Sequence, residues 1–122
     1  MHEYRVLIVD DEEELVTTIA ERLQIRGFQT QTATDGEIAF KMIEENPPQV
    51  VVLDVMMPGI GGIEILQRMK AKNLQIPVIL LTGYGTTDQG MEGMKQDAFD
   101  YLMKPCDLDV LISKIQEAVE NL

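Results

Sequence analysis

Short apolar runs alternate along the chain with amphipathic segments. Residues 5–9, 50–54 and 76–82 each contain an aliphatic stretch without alternation, which is typical of strands buried on both faces of a parallel sheet. Residues 28–33 mix Gln and Thr with apolar positions, so we expect a shorter strand near the sheet edge. Residues 99–103 predict a last short strand.

Helical periodicity follows each predicted strand. The first helix is expected to stop at Gly27, a residue type that commonly follows helices. Thr34 and Glu37 have the spacing of a capping box ahead of the second helix, and Asp107 can cap the last one. The predicted apolar faces consist of Leu15, Val16, Ile19, Ala20 and Leu23, then Ile38, Ala39, Met42 and Ile43, then Ile63, Leu66 and Met69, and finally Leu108, Leu111, Ile112, Ile115, Val119 and Leu122.

The fourth helix has the weakest pattern. It should start at Thr86 or Thr87, since Thr86 and Gln89 again have capping-box spacing. Gly90 and Gly93 each cost about 1 kcal/mol relative to alanine inside a helix. We therefore expect this helix to be the least stable of the fold.

Five strands that alternate with five helices predict an α/β fold, a doubly wound five-stranded parallel sheet with helices on both faces. The 122 residues suit a single domain, 1–122, and contain no repeat or linker. The chain has eight methionines. They are interpreted as core filler, including Met42, Met69, Met91 and Met94 on predicted helices, and the remote alternative is a copper-binding or partner-binding methionine face.

Charge and cysteine content exclude several function classes. The net charge of −11 disfavours direct binding to nucleic acid or to an anionic membrane surface. The one cysteine, Cys106, cannot form an intramolecular disulfide and is interpreted as structural. There is no apolar run of about 18 residues and no hydrophobic signal region, so we expect a cytoplasmic protein.

Polar groups follow four of the predicted strands: Asp10-Asp11, Asp54, Thr82 and Lys104. The carboxyl ends of parallel strands share one edge of the sheet, so these groups should converge. Closely packed carboxylates repel unless a cation is present, and oxygen ligands suit Mg²⁺. One carboxylate could then be a nucleophile, while Lys104 and Thr82 contact a phosphoryl group. Taken alone, Asp54 could equally cap a turn, and Lys104 could be an exposed lysine over the core.

On these motifs the chain resembles bacterial response-regulator receiver domains of two-component systems, over essentially its whole length. The matching segments are Asp10-Asp11, residues 53–58 with Gly62, residues 81–83 and residues 101–105. The resemblance implies strand order 2-1-3-4-5 and a cis peptide before Pro105. It also implies a signalling domain, not an enzyme, that assists its own phosphorylation and dephosphorylation.

The resemblance further implies that Asp54 accepts a phosphoryl group from a sensor histidine kinase or a phosphotransfer protein. Asp10, Asp11, Asp54 and the main-chain carbonyl of Met56 would bind Mg²⁺. Thr82 and Tyr101 would form the switch pair and remodel the face of the fourth helix, last strand and last helix. That face would control an output domain or effector protein, or support a phosphorylation-dependent homodimer.

Some positions differ from the usual receiver pattern. Gly61 stands where receivers usually have Asp, Ser or Asn, so the third helix should lack a side-chain cap. Asp97 stands where they usually have Gly, which would place an aspartate in left-handed backbone.

The segments 82–85 and 98–102 most resemble receivers that control ATP-dependent transcriptional activators.

Two other function classes remain open. A receiver-like interaction domain could work without phosphorylation, and its partner binding would be indifferent to Mg²⁺ and phosphodonor. A flavin or nucleotide binder of the same fold is disfavoured, because no Gly-rich phosphate loop follows the first strand. Asp10 and Asp11 would also repel a phosphate there.

Overall fold

The computed structural model describes residues 4–83 and 87–120. Within these ranges five strands alternate with five helices, which confirms the predicted α/β fold. The strands are β1 (Arg5–Val9), β2 (Gln29–Ala33), β3 (Val50–Asp54), β4 (Val78–Thr82) and β5 (Asp100–Met103). The helices are α1 (Glu13–Ile25), α2 (Gly36–Glu45), α3 (Gly62–Ala71), α4 (Thr87–Lys95) and α5 (Leu108–Glu120).

All neighbouring strands are parallel, and the sheet order is β2-β1-β3-β4-β5, as expected from the resemblance. The register places the strand ends side by side. Val9 pairs with Leu53, Asp54 pairs with Leu81, and Thr82 pairs with Met103. Residues that follow these ends therefore meet at one edge of the sheet.

The sheet separates two apolar clusters. Alternate residues of β1, β3 and β4 pack against α1 and α5 on one face and against α2 and α3 on the other. These strands are almost completely buried, as their unbroken aliphatic runs predicted. The Thr- and Gln-rich β2 lies at the sheet edge and is mostly exposed, which confirms its predicted place. The prediction that it is shorter is wrong, because β2 has five residues, as many as β1, β3 and β4.

The predicted cap of α2 is wrong by one residue. Asp35, not Thr34, is the N-cap, and its Oδ1 accepts a hydrogen bond of 3.0 Å from the Ile38 amide. Aspartate ranks above threonine at this position, so the neighbouring acid takes the role. The helix that starts there buries Ala39 and Ile43 but leaves Ile38 58% exposed, so Ile38 does not belong to the predicted face.

The core-filler interpretation fails for several methionines. Met69 of α3 is buried, but Met56, Met91, Met94 and Met103 are 56%, 54%, 39% and 49% exposed. Among the α4 residues whose burial is described, Gly93 is the buried one, and an added β-carbon there would overlap the Leu80 side chain. Since α4 approaches the sheet through a glycine, the methionines on either side of it point outward.

Other local predictions agree with the structure. Gly27 has φ +91° after α1, and Asp97 has φ +66°, so both adopt left-handed backbone. The Lys104–Pro105 peptide is cis. Asp107 Oδ1 accepts a hydrogen bond of 2.8 Å from the Asp109 amide at the start of α5. The structure begins α4 at Thr87.

The remaining capping and helix-end predictions concern Thr86, Gln89 and Leu122. Thr86 and Leu122 lie outside the described residues, and so does the Gln89 side chain. Nowhere in the described part of the chain is a helix both long and apolar enough to span a membrane.

Candidate functional site

The polar residues predicted to converge do meet at the carboxyl edge of the sheet. Asp10 directly follows β1, Asp54 ends β3, Thr82 ends β4, and Lys104 directly follows β5. Asp10, Asp54 and Thr82 are the buried polar side chains among those the structure describes. Burying carboxylates is costly unless they are paired, so their place at this edge calls for counter-charges.

Three carboxylates form a cluster there. Asp10, Asp11 and Asp54 each offer an oxygen, and these oxygens all lie within 4.8 Å of one another. Asp10 and Asp54 are buried, whereas Asp11 is exposed. Hard oxygen donors at a partly hydrated site fit Mg²⁺, which keeps several of its own waters when it binds to proteins. The residues present therefore fit the metal implied by the resemblance.

Main-chain amides hold the two buried carboxylates in place. Asp10 Oδ1 accepts a hydrogen bond of 2.9 Å from the Glu12 amide. Asp54 Oδ1 accepts a longer one, 3.4 Å, from the Met56 amide. Met56 thus lies beside the acidic cluster, and the role of its carbonyl as a metal ligand stays a prediction.

Lys104 points into the site and does not lie over the core as an exposed lysine. Its Nζ is 2.8 Å from Asp10 Oδ2, 3.0 Å from Glu12 Oε1 and 3.6 Å from Asp54 Oδ1. Only 17% of the side chain is exposed. The ammonium therefore supplies counter-charge to the cluster. Glu12 was not predicted as a site residue, and its one signal was a third acid directly after the Asp pair.

The electrostatics of the site raise the pKa of Asp54 when no cation is bound. Burial, reinforced by the charge of Asp10, raises the pKa of Asp54 from 3.8 to about 7, against the opposing effect of Lys104. Burial alone would lower the pKa of Lys104, but hydrogen bonds to Asp10 and Glu12 outweigh it and raise that pKa. A bound cation would favour the ionised form of Asp54.

Thr82 and Tyr101 lie on neighbouring strands and on the same face of the sheet. Tyr101 pairs with Leu80, which is two residues before Thr82 in β4, and side chains two apart share a face. Thr82 Oγ1 donates a long hydrogen bond, 3.5 Å, to the Leu102 carbonyl. The Lys104 amide donates one of 2.6 Å to the Thr82 carbonyl and so fixes the start of the Lys104 segment.

Two glycines hold the loop after β3 against the strand end. The Gly62 amide donates a hydrogen bond of 3.1 Å to the Val55 carbonyl. A β-carbon at Gly62 would lie 2.6 Å from the Asp54 carbonyl oxygen, and one at Gly61 would overlap the Val55 carbonyl oxygen. Helix α3 does lack a side-chain cap, as expected. Close approach of the backbone is a positive reason for glycine at 61 that the sequence pattern did not show.

An apolar cavity of about 420 Å³ adjoins the site. Glu12 and Lys104 line it on the site's side, and Leu15, Ile19 and Cys106 are among its apolar walls. Burial raises the pKa of the Cys106 thiol, which disfavours the reactive thiolate. Cys106 therefore fits its structural interpretation.

Comparison with known proteins agrees with this geometry. The sequence profile of the response regulator receiver domain matches residues 6–116. Regulatory protein AtoC of Escherichia coli is 36% identical over 116 residues, which cover 95% of this chain and 25% of AtoC. The chain spans between 25% and 48% of the length of the curated relatives it matches.

Solved structures agree as well. The receiver domain of Francisella response regulator 1452 superposes with a TM-score of 0.91 at 33% identity, covering 98% of each chain. NtrX from Brucella abortus, solved in complex with ADP, has a TM-score of 0.90 at 29% identity, covering 98% of this chain and 28% of that one. With its profile match, its relatives and its fold in agreement, this chain belongs to the response regulator receiver domain family.

Proposed function

We propose that residues 1–122 act as one receiver domain in which Asp54 accepts a phosphoryl group in a Mg²⁺-dependent reaction. The donor is a phosphohistidine of a sensor histidine kinase or of a phosphotransfer protein. One observation carries the proposal: a buried Asp54 lies within 4.8 Å of two further carboxylates and 3.6 Å from the Lys104 ammonium.

In the transfer, an Asp54 carboxylate oxygen forms a bond to phosphorus as the bond from phosphorus to the histidine nitrogen breaks. The imidazole leaves and takes up a proton. Asp10, Asp11, Asp54 and the Met56 carbonyl are the groups that would hold Mg²⁺, which supplies positive charge and favours ionised Asp54. Lys104, whose ammonium is 3.6 Å from Asp54 Oδ1, and the Thr82 hydroxyl would contact phosphoryl oxygens, so catalysis would rest on positioning and charge neutralisation.

The same proposal includes a switch. The hydrogen bond that the Thr82 hydroxyl donates to the Leu102 carbonyl is long, so the hydroxyl can turn toward the phosphoryl group at little cost. Tyr101 is half-buried and follows inward, which remodels the face of α4, β5 and α5. Exposed Met91, Met94 and Met103 of α4 and β5 supply apolar contact area for a partner.

The partner would be an output domain, an effector protein or a second copy of the chain. The greater length of the curated relatives supports an output domain. The similarity to AtoC and to NtrX, which was solved with ADP, supports control of an ATP-dependent transcriptional activator.

Phosphorylation can be tested with acetyl phosphate and Mg²⁺, followed by intact-mass spectrometry. Wild type should gain the mass of one phosphoryl group, and EDTA should prevent the gain. Asp54→Asn should gain nothing, whereas Asp109→Asn, which removes an exposed acid of α5, should behave as wild type. Labelling of Asp54→Asn at the wild-type rate would show that Asp54 is not the acceptor.

A further inference from the structure

Glu12 occupies the N-cap position of α1 without making a side-chain capping bond. Its carboxylate instead accepts a hydrogen bond of 3.0 Å from the Lys104 ammonium, 92 positions away in the chain. The Glu12 side chain is 63% exposed, at the rim between the site and the adjoining cavity. This contact ties the start of α1 to the segment after β5.

We propose that Glu12 is a positioning residue that holds Lys104 on the α1 side of the site until a phosphoryl group arrives at Asp54. The inference rests on the proposed function, because it assigns Lys104 a phosphoryl oxygen as its later partner. Because the ion pair between Glu12 and Lys104 stabilises the unphosphorylated protein, Glu12 lowers the rate of phosphorylation.

The burial of the carboxylates around Lys104 explains why the ammonium would exchange Glu12, and not Asp10, for a phosphoryl oxygen. A lysine ammonium has three N–H donors, and here three carboxylates surround it. Asp10 is fully buried, so separating it from Lys104 would leave a buried charge without its partner. Glu12 is exposed and water can solvate its carboxylate, so breaking its bond to Lys104 costs the least free energy.

Neighbouring residues allow this specific contact to be separated from a general charge effect. Glu13 is also exposed and lies in the first turn of α1, but it lines pockets on the far side of that helix. Glu13→Gln therefore removes the same charge from the same helix end without touching Lys104. Because Glu12 makes no capping bond, Glu12→Gln and Glu12→Ala should leave the start of α1 intact.

The test compares wild type, Glu12→Gln, Glu12→Ala and Glu13→Gln in two measurements. The first is the rate of phosphorylation by acetyl phosphate at saturating Mg²⁺. Both Glu12 variants should react about two- to five-fold faster than Glu13→Gln, the factor expected when one partly exposed ion pair is removed. The second is the NMR signal of the Lys104 ammonium in metal-free protein, which should shift in both Glu12 variants but not in Glu13→Gln.

Equal rates in all Glu12 and Glu13 variants, or an unmoved Lys104 signal, would overturn the role of Glu12. That result differs from failure of the proposed function, in which wild type itself gains no phosphoryl group. If wild type gains no phosphoryl group, the positioning role of Glu12 is also wrong, even if the NMR signal shows the Lys104–Glu12 contact.

Discussion

The ammonium of Lys104 lies 2.8 Å from Oδ2 of Asp10, although 94 positions separate the two residues in the chain. The strands β3 and β4 lie between β1 and β5, so the lysine reaches across the ends of two strands. The pair places one positive charge among the carboxylates of the acidic cluster. It thereby offsets part of their repulsion in the metal-free protein.

Replacing this lysine should destabilise the fold. Lys104→Met leaves Asp10 buried without its cation, so the free energy of unfolding should fall by about 2 to 4 kcal/mol near neutral pH without divalent ions. Urea denaturation measures the loss. Lys114→Met is the matched control, because Lys114 pairs with Asp100 at a more exposed position, where ion pairs contribute at most about 1 kcal/mol. Equal losses in the two variants would contradict a structural role for the Lys104–Asp10 pair.

Asp54 should make the stability of the metal-free protein depend on pH. Its folded pKa of about 7 lies above the ordinary 3.8, so folding favours the protonated form. The favourable contribution is complete below the ordinary pKa and is lost as pH rises through the folded pKa. Asn stays neutral throughout. Asp54→Asn should therefore exceed wild type in stability by on the order of 2 to 4 kcal/mol at about pH 8, and by little at about pH 4.

Urea denaturation in EDTA across this pH range checks the Asp54 prediction. Asp109→Asn, an exposed position, should follow the wild-type curve. A gap between Asp54→Asn and wild type that stays constant with pH would show that packing of the amide, and not ionisation of the acid, causes the difference.

Mg²⁺ should stabilise the folded protein through the acidic cluster. A ligand at about 100 times its Kd adds about 2.7 kcal/mol, so the melting temperature should rise with Mg²⁺ concentration. Asp11 is the exposed member of the cluster, so Asp11→Asn should fold normally yet show a much smaller rise. Thermal unfolding monitored by circular dichroism measures both, with Asp109→Asn as the control. If the melting temperature of Asp11→Asn rose with Mg²⁺ as much as that of wild type, Asp11 would not be a metal ligand.

The pattern of apolar residues in the sequence made the sheet and its acidic edge predictable. Aliphatic runs without alternation leave few options other than central strands, and parallel strands bring their carboxyl ends to one edge. Asp10, Asp54, Thr82 and Lys104 could therefore be assigned to one site from the sequence. The order of the strands came from family resemblance, since alternation alone does not specify it.

Tertiary contacts account for what the sequence did not reveal. The Lys104–Glu12 bond spans 92 positions, and no local pattern marks it. The outward Met91 and Met94 depend on how Gly93 meets Leu80 of the sheet, which helical periodicity cannot report. The α2 cap depended on two adjacent residues that both can cap a helix, so a shift by one position was within the ambiguity of the pattern.

Gly61 lies in the loop after β3, so close to the main chain of Val55 that a side chain at position 61 would contact it. A β-carbon at 61 would overlap the Val55 carbonyl oxygen, which is fixed by its hydrogen bond from Gly62. Gly61→Ala should lower the free energy of unfolding by about 1 to 3 kcal/mol, the usual cost of overpacking, as measured in urea. The same change should slow phosphorylation by acetyl phosphate, because the displaced segment follows Asp54 directly.

The matched control for Gly61→Ala is Gly93→Ala in α4. There the added carbon overlaps the end of the Leu80 side chain and not main chain, and alanine favours the helix by about 1 kcal/mol. Gly93→Ala should therefore lose less stability than Gly61→Ala and keep the wild-type phosphorylation rate, since it lies outside the acidic cluster. If Gly61→Ala were as stable as wild type, the loop would be able to move away from Val55. The glycine would then reflect something other than close backbone approach.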